Sequence, residues 1–397
     1  MRVLIIMRSQ SGVPGGAGVP GGQIGMVQLA RALARLGVDV ELFVTGPRMD
    51  YLSGLDRVPA TYFRWPIWLD SLFKAGPARI RTFGTNLRRR RWLDALVSLP
   101  GTAAADVIHV QGIEDAEPIL TRLSGPLIVT HWGRARRWRS NGSTPHEERL
   151  QHRLLRIREN VTLVAIGEAQ QEELTAAGMP PAAVIAPGID LQHFTPGEPA
   201  EARRRTGLPA DDGVVLYVGR LAADKNVETL LRAFALPSQH SRRTTLMIVG
   251  DGPLRKRLQH LSRELGIDAA TTFLPFVPHS DLPAYYRGCD VAVVPSNRLE
   301  TYCMVALEAI ACGCPLVVTD QVPEILRHFP GVPAVAPHDV DDLRRRIDAA
   351  LDGHVQPADN TQMADHDWGH VARRYIVLYQ SVLYQSVLYQ SALRHTA

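Results

Sequence analysis

Short apolar runs alternate with amphipathic stretches along most of this chain. The first run, residues 1–7, is almost continuously apolar and predicts a buried strand. Apolar residues then recur at helical spacing from Met26 to Leu36, and Gly37 predicts the end of that helix. Further strands are predicted at residues 38–45, 104–109, 127–131, 163–166, 214–218, 246–249, 272–277, 291–295 and 316–319. This alternation of strands and helices favours a doubly wound α/β architecture with parallel sheets.

Length and composition indicate a globular protein with two domains. The chain has 397 residues, of which 45% are hydrophobic and 21% are charged. No apolar run reaches the roughly 18 residues of a membrane-spanning helix, and a strand at the first residues predicts that there is no signal peptide. The cysteines are Cys289, Cys303, Cys312 and Cys314. Their spacing fits no zinc motif, so we expect buried thiols in a reducing cytoplasm.

The stretch from Ser296 to Pro315 carries the most informative chemistry. It follows the apolar run 291–295 and then takes on helical spacing. If a helix begins near Tyr302, its free N–H groups and positive dipole end form an anion site at the carboxyl edge of the sheet. Glu300 lies beside that site, and Glu308 follows a little over two helical turns later, where a carboxylate reaches sugar hydroxyls. An anion site next to two carboxylates indicates a nucleotide-sugar site.

The same stretch resembles the donor-site motif of the retaining glycosyltransferases of family 4, in the GT-B superfamily. The resemblance is carried by Glu300, Tyr302, Cys303, Glu308, Ala309, Gly313 and Pro315. Cys303 departs from the family, which usually has glycine there, and a Cβ at this position can crowd the sugar or the turn. The resemblance extends in chain order over residues 1–380, and its other specific stretch is residues 214–226.

The resemblance implies a donor site built from several stretches. The residues implied to bind the diphosphate are Gly21, Gly22, Arg220, Lys225, Cys303, Met304 and Val305. The cations Arg220 and Lys225 suit this role because a departing nucleoside diphosphate needs its charge neutralised. Glu308 is the implied ribose ligand, and the backbone of Phe276 and Val277 is implied to contact the base.

The implied catalytic residues are His131 and Glu300, beside the transferred sugar. His131 ends a predicted strand, as does His109, and Gln111 follows closely. Because ligands gather at the carboxyl ends of strands in open α/β sheets, we expect His109 and Gln111 on the acceptor side of the site.

For the whole chain, the resemblance implies the GT-B fold, in which two Rossmann-like domains face each other across a cleft. Residues 1–190 would form the acceptor-binding domain, with a C-terminal helix at about 369–397 packed back on it. Residues 191–368 would form the domain that binds the nucleotide sugar.

The implied reaction moves a sugar from a nucleoside diphosphate, UDP more than GDP, to an acceptor hydroxyl. It retains the anomeric configuration and uses neither a metal nor a cofactor, and we expect no nucleic-acid partner. The expected acceptor of this cytoplasmic enzyme is a small polyhydroxylated molecule, as in aminocyclitol or antibiotic biosynthesis.

A membrane lipid or a polysaccharide precursor is the alternative acceptor. Residues 1–180 carry 23 basic and 16 acidic side chains, and four consecutive arginines from Arg88 to Arg91 lie in a predicted helix. These charges suit an anionic surface, but the short apolar face beside them favours the small molecule.

Two readings from other functional classes also fit parts of the chain. Gly16, Gly18 and Gly21 form a G-x-G-x-x-G pattern, with Glu41 at the distance of a ribose ligand, as in an NAD-dependent oxidoreductase. Against it, Pro20 breaks the turn and the loop is long. A non-catalytic module that binds sugar nucleotides is the other reading, and Cys303 is its support.

Two local patterns carry less weight. The D-x-D pattern at residues 365–367 is the metal motif of another glycosyltransferase architecture, and we interpret it as chance. The sequence VLYQS occurs three times between Val377 and Ser391. A five-residue step turns a helix by about 140° beyond one turn, so the repeat spreads its side chains around the helix, and we expect little function beyond the first copy.

Overall fold

The computed structural model describes residues 1–8, 21–45, 58–63, 87, 90–112, 119, 122–123, 125–132, 161–176, 178–179, 183–238, 240, 242–275 and 277–396. These residues form two compact units. The first unit ends at Gly188 and takes up the chain again at Trp368, whereas the second is Ile189–Asp367. The sequence analysis placed the corresponding boundaries after residues 190 and 368. Gly16, Gly18, Phe276, Arg88 and Arg89 lie outside the described residues.

The first unit is built on a parallel sheet of seven strands. They are β1 (Arg2–Arg8), β2 (Asp39–Thr45), β3 (Ala60–Phe63), β4 (Val107–Gln111), β5 (Leu127–His131), β6 (Val161–Ala165) and β7 (Ala183–Val184). Their order in the sheet is β3-β2-β1-β4-β5-β6-β7. The described helices are Gly21–Arg35, residues 90–97, Pro100–Ala103, Glu168–Ala176 and Trp368–Thr396.

The second unit is built on a parallel sheet of six strands. They are β8 (Gly213–Val218), β9 (Thr244–Val249), β10 (Thr271–Leu274), β11 (Val291–Val294), β12 (Leu316–Thr319) and β13 (Ala334–Val335). Their order is β10-β9-β8-β11-β12-β13. The α-helices are Pro199–Thr206, Val227–Ala235, Arg255–Glu264, Leu282–Gly288, Met304–Ala311, Pro323–His328 and Val340–Leu351, with 3₁₀ turns at Ala223–Lys225, Asp268–Ala270 and Thr361–His366.

The central strands are buried on both faces, which explains their continuous apolar runs. Along β1, Val3, Ile5 and Met7 belong to the core on one face of the sheet. Leu4 and Ile6 belong to the core on the other face. Because successive side chains of a strand point to opposite faces, a fully apolar strand is what a sheet covered on both sides requires.

The strand order of each sheet reverses at one place. The reversal lies between β1 and β4 in the first sheet and between β8 and β11 in the second. At such a switch point the connections leave toward opposite faces, which opens a crevice at the carboxyl ends of the two strands. The loops after β8 and β11 therefore define where a ligand of the second unit is expected.

The terminal helix, Trp368–Thr396, packs on the first unit. Trp368, Tyr375 and Tyr379 are buried in the same core as the helix Gly21–Arg35. In the VLYQS repeat, Tyr379 is fully buried, whereas Tyr384 of the second copy is 66% exposed. The five-residue step thus moves the same position from the core to the solvent. No described helix is long and apolar enough to cross a membrane.

Candidate active site

The two loops at the switch point of the second sheet are hydrogen-bonded to each other. Asn226 adopts a left-handed φ of 52° just before the helix Val227–Ala235. Its side-chain Nδ2 donates to the carbonyl oxygen of Pro295 at 3.1 Å. In return, the backbone N–H of Asn297 donates to the carbonyl oxygen of Asp224 at 3.1 Å. The loop after β8 and the loop after β11 therefore form one framework.

This framework brings the predicted cation and carboxylate together. Lys225 Nζ lies 2.7 Å from Glu300 Oε1, and the Ser296 hydroxyl donates to the same oxygen. Burial lowers the pKa of Lys225, but the charge and hydrogen bond of Glu300 outweigh it and raise the pKa above 10.5. Lys225 is therefore a cation at neutral pH, and Glu300 is held by two donors.

The second predicted cation, Arg220, has an exposed side chain, and hydrogen bonds hold its backbone in place. Its side chain is 58% exposed and lies 3.1 Å from the Asp224 carboxylate. The Tyr217 hydroxyl donates to the Arg220 carbonyl oxygen at 3.0 Å, and the next N–H, that of Leu221, donates to Asp251 O at 2.9 Å. Gly250 has a φ of 141°, and a Cβ there would lie 1.9 Å from the carbonyl oxygen of Gly219. Only glycine allows this close approach.

The helix of the donor-like motif begins at Met304, two residues after the predicted start. The N–H groups of Met304 and Val305 precede the first bond within the turn, from Ala306 to Cys303 O, and face outward at the positive end of the helix. Cys303 has a φ of −97°, which any residue adopts, so the turn itself accommodates the Cβ. Burial raises the pKa of the Cys303 thiol well above its usual range.

Glu308 lies on this helix with its carboxylate almost completely buried. The Tyr286 hydroxyl donates to its Oε2 at 2.8 Å. His279 Nε2 lies 3.0 Å from its Oε1. Neither partner belongs to the motif, and the sequence analysis missed both because they come from a different stretch of the chain.

Arg255 is a further residue that sequence reasoning missed. Its guanidinium donates to the carbonyl oxygens of Gly250, Phe273 and Leu274 at 3.0–3.2 Å. It thereby fixes the ends of β9 and β10, directly before the segment predicted to contact the base. Of that segment, Val277 follows β10 within the described residues.

In the first unit, His131 ends β5 as predicted, and its ring is buried. Burial lowers its pKa to about 4, so the imidazole is neutral at neutral pH. The carbonyl oxygen of His131 accepts a hydrogen bond from Gln170 Nε2 at 2.8 Å. Gly21 and Gly22 form the first residues of the helix Gly21–Arg35, whose predicted start was near Gln23.

The structure corrects the acceptor role predicted for His109. Its ring is fully buried, and its Nδ1 lies 2.7 Å from the Tyr379 hydroxyl while Nε2 lies 2.7 Å from the Thr130 hydroxyl. Burial lowers its pKa to about 3. His109 is a neutral core residue that joins β4 to the terminal helix, and both of its nitrogens are occupied. Gln111, at the end of β4, is half-buried.

The structure also argues against the hypothesis of an NAD-dependent oxidoreductase. Glu41 pairs with Leu4 in the first half of β2, away from the carboxyl edge where a ribose would bind. Its carboxylate forms an ion pair with Arg2 at 3.2 Å. Among the described residues, no group of three or more histidine, cysteine, aspartate or glutamate side chains is arranged to hold a metal.

Two family models match the two parts of the chain. Residues 19–193 match the model described as Glycosyltransferase Family 4. Residues 199–365 match the model described as Glycosyl transferases group 1. Together the two matches include the framework around Lys225 and Glu300.

Curated relatives extend over most of the chain. A D-inositol 3-phosphate glycosyltransferase of Frankia alni is 31% identical over 340 residues, which are 77% of this chain and 78% of the relative. The enzyme of the same name from Kribbella flavida is 31% identical over 364 residues, 83% of this chain and 82% of the relative.

Solved structures share the fold. Anabaena Alr3699/HepE, in complex with UDP and glucose, superposes with a TM-score of 0.66 at 18% identity, covering 99% of this chain and 100% of that one. Sucrose-phosphate synthase from Thermosynechococcus elongatus gives a TM-score of 0.66 at 22% identity over the full length of both chains. With its two parallel-sheet units, its matched family models and its relatives, the chain belongs to the family 4 glycosyltransferases and has the GT-B fold.

Proposed function

We propose that this glycosyltransferase moves a sugar from a UDP-sugar to a hydroxyl of a small polyhydroxylated acceptor of the cyclitol class, with retention of anomeric configuration and without a metal ion. The observation that carries the proposal is the framework at the switch point of the second sheet. It pairs Lys225 with the Glu300 carboxylate, and its two loops also carry Arg220 and lead to the N–H groups of Met304 and Val305 at the start of the helix.

Cations and helix N–H groups suit the leaving diphosphate. In the proposed step, the bond between the anomeric carbon and the diphosphate oxygen breaks and a bond to the acceptor oxygen forms on the same face. The acceptor proton passes to the departing phosphate oxygen. Arg220 and Lys225 stabilise the charge that develops there, an electrostatic contribution that is realised mainly in the transition state.

The carboxylates are proposed to hold the two sugars of the donor. Glu308 accepts hydrogen bonds from the ribose, and Glu300 accepts them from the transferred sugar. In the free protein Glu300 is paired with Lys225 at 2.7 Å. A bound diphosphate gives Lys225 a second anionic partner, so Glu300 can turn one of its lone pairs toward the sugar.

His131 is proposed to lie beside the transferred sugar. Its low pKa of about 4 keeps the ring neutral at working pH. A neutral imidazole adds no positive charge next to an anomeric carbon that becomes oxocarbenium-like, whereas an imidazolium would oppose that charge.

Different observations support the nucleotide and the acceptor. HepE binds UDP and glucose in its solved structure, which supports UDP as the carrier. The relatives that are named D-inositol 3-phosphate glycosyltransferases support a cyclitol acceptor, either an inositol phosphate or an aminocyclitol of natural-product biosynthesis. The four free thiols support the cytoplasm as the location.

The test is a transfer assay on the full chain with UDP-glucose and other UDP- and GDP-sugars against a panel of acceptors. The panel contains inositol phosphates, aminocyclitols and a lipid acceptor in vesicles. We expect transfer from a UDP-sugar to a cyclitol, an α-linked product from an α-linked donor by NMR, and full activity in EDTA. Transfer to the lipid acceptor alone, or an inverted product, would overturn the corresponding part of the proposal.

A further inference from the structure

The carboxylate of Glu308 accepts hydrogen bonds from two side chains that are not part of the donor motif. The Tyr286 hydroxyl lies 2.8 Å from Oε2, and His279 Nε2 lies 3.0 Å from Oε1. The two donors come from different backbone segments, because Tyr286 lies in the helix Leu282–Gly288 and His279 lies in the loop before it. One donor on each oxygen fixes the plane of the carboxylate.

The Glu308 carboxylate is buried but keeps lone pairs that a ligand can use. Tyr286 is 1% exposed, whereas the side chain of Glu308 is 6% exposed and that of His279 is 37% exposed. A buried carboxylate is costly unless hydrogen-bond donors replace its lost water. Because each carboxylate oxygen accepts two hydrogen bonds, the two oxygens together keep two lone pairs for further donors.

Neighbouring residues hold His279 and Tyr286 in place. The buried ring of Phe194 packs against both donors, with ring centroids 5.0 Å from His279 and 6.3 Å from Tyr286. The neighbouring Arg287 donates to the carbonyl oxygens of Thr195 and His193 at 2.6 and 3.0 Å. The helix Leu282–Gly288, which carries Tyr286, is therefore hydrogen-bonded to residues 193–195.

We propose that Tyr286 and His279 are positioning residues, which hold the Glu308 carboxylate in the orientation in which its remaining lone pairs accept the ribose hydroxyls of the donor. The inference rests on the proposed function, in which Glu308 is the ribose ligand. Ribose contacts are shared by the bound donor and the transition state, so the pair acts on donor affinity and leaves the chemical step unchanged.

His279 binds Glu308 more strongly when its ring is protonated, and its surroundings favour the protonated form. Burial lowers its pKa, but the hydrogen bond and charge of Glu308, together with the charge of Asp190, raise the pKa above 6.5 on balance. An imidazolium that donates to a carboxylate makes a charge-assisted bond, which is roughly twice as strong as a neutral one.

Tyr286→Phe tests the proposal, with Tyr285→Phe as the matched control on the same helix. We expect the affinity for UDP, measured by calorimetry, to fall about tenfold in Tyr286→Phe, as for the loss of one hydrogen bond to a charged group. The KM for the UDP-sugar should rise by about the same factor with kcat within about twofold, because ribose binding is uniform. Tyr285→Phe should match the wild type.

Two further measurements separate positioning from a structural role. In a Glu308→Gln background, Tyr286→Phe should add less than about a twofold loss, because both changes then act on the same contact. At the more exposed position 279, His279→Gln retains an N–H donor and should keep more UDP affinity than His279→Ala. This pair of variants also decides the matter if Tyr286→Phe fails to fold.

The outcomes distinguish this inference from the proposed function. A wild-type protein that binds no UDP would contradict the proposed function itself. A wild type that binds UDP, with a folded Tyr286→Phe variant that binds it equally well or loses kcat instead, would overturn the positioning role alone. Equal affinities in His279→Gln and His279→Ala would overturn the role of His279.

Discussion

At the scale of single residues, His279 links the stability of the second unit to pH. Its folded pKa lies above the ordinary 6.5, so its bond to Glu308 contributes fully below pH 6.5. The contribution is lost as the pH rises through the folded pKa. We therefore predict that His279→Gln lowers the unfolding free energy most at pH 6.5 and below, and less as the pH rises.

Urea unfolding at a series of pH values would measure this difference. His260→Gln is the matched control, because His260 and Glu264 also form a histidine–glutamate pair, at 3.2 Å, but both side chains are exposed, and exposed pairs contribute little. A difference between wild type and His279→Gln that does not change with pH would contradict the prediction.

Gly250 is a residue whose substitution should disturb the loop after β8, which carries Arg220. A Cβ at this position would meet the carbonyl oxygen of Gly219 at 1.9 Å, at a φ of 141°. We predict that Gly250→Ala destabilises the protein by about 1–3 kcal/mol through backbone strain and weakens UDP binding, because the loop that carries Arg220 must move.

The control for this prediction is Gly266→Ala. Gly266 also has a positive φ, 68°, but a Cβ there would meet nothing within 4 Å. It should lose stability without losing UDP affinity, as measured by urea unfolding and calorimetry. Unchanged UDP binding in a folded Gly250→Ala variant would show that the loop does not depend on this close approach.

At the scale of elements, the terminal helix should depend on one copy of its repeat. Tyr379 is buried, and its hydroxyl bonds to His109 at 2.7 Å, whereas Tyr384 at the same repeat position is 66% exposed. We predict that Tyr379→Phe costs about 1–3 kcal/mol, since it leaves a buried imidazole nitrogen without its partner. Tyr384→Phe should stay within about 0.5 kcal/mol of the wild type, and equal effects in urea unfolding would contradict this account.

Most central strands could be predicted from the sequence because burial on both faces makes them continuously apolar. The predicted runs 214–218, 291–295 and 316–319 lie within one residue of β8, β11 and β12. The edge strands β7 and β13 were missed because two residues each are too few to carry a period. The edge strand β3 was missed because its four residues are only half-buried and form no continuous apolar run. The run predicted for 272–277 ends at Leu274.

At the scale of the whole molecule, the parts of the site that follow strand ends were predictable. Lys225 and Glu300 meet because β8 and β11 are neighbours with their carboxyl ends at one edge. Pairings that depend on packing were not predictable. His109 was assigned to the acceptor from its strand end, but its partner Tyr379 is 270 residues away in the sequence. Tyr286 likewise reaches Glu308 only in the folded chain.

The central claim is that the framework at the switch point of the second sheet binds a nucleoside diphosphate through Arg220 and Lys225. Calorimetric titration of the full chain with UDP tests it most directly, using Arg220→Ala and Lys225→Ala. The matched controls are Arg232→Ala, which removes another i,i+4 arginine pair of similar exposure on the same unit, and Lys256→Ala, which removes an exposed lysine.

We predict that UDP binds the wild type and both controls alike. Arg220→Ala and Lys225→Ala should each bind it about 1.5–3 kcal/mol more weakly, as expected for lost hydrogen bonds between charged groups. A wild type that does not bind UDP, or two variants that bind it as tightly as the controls, would contradict the account.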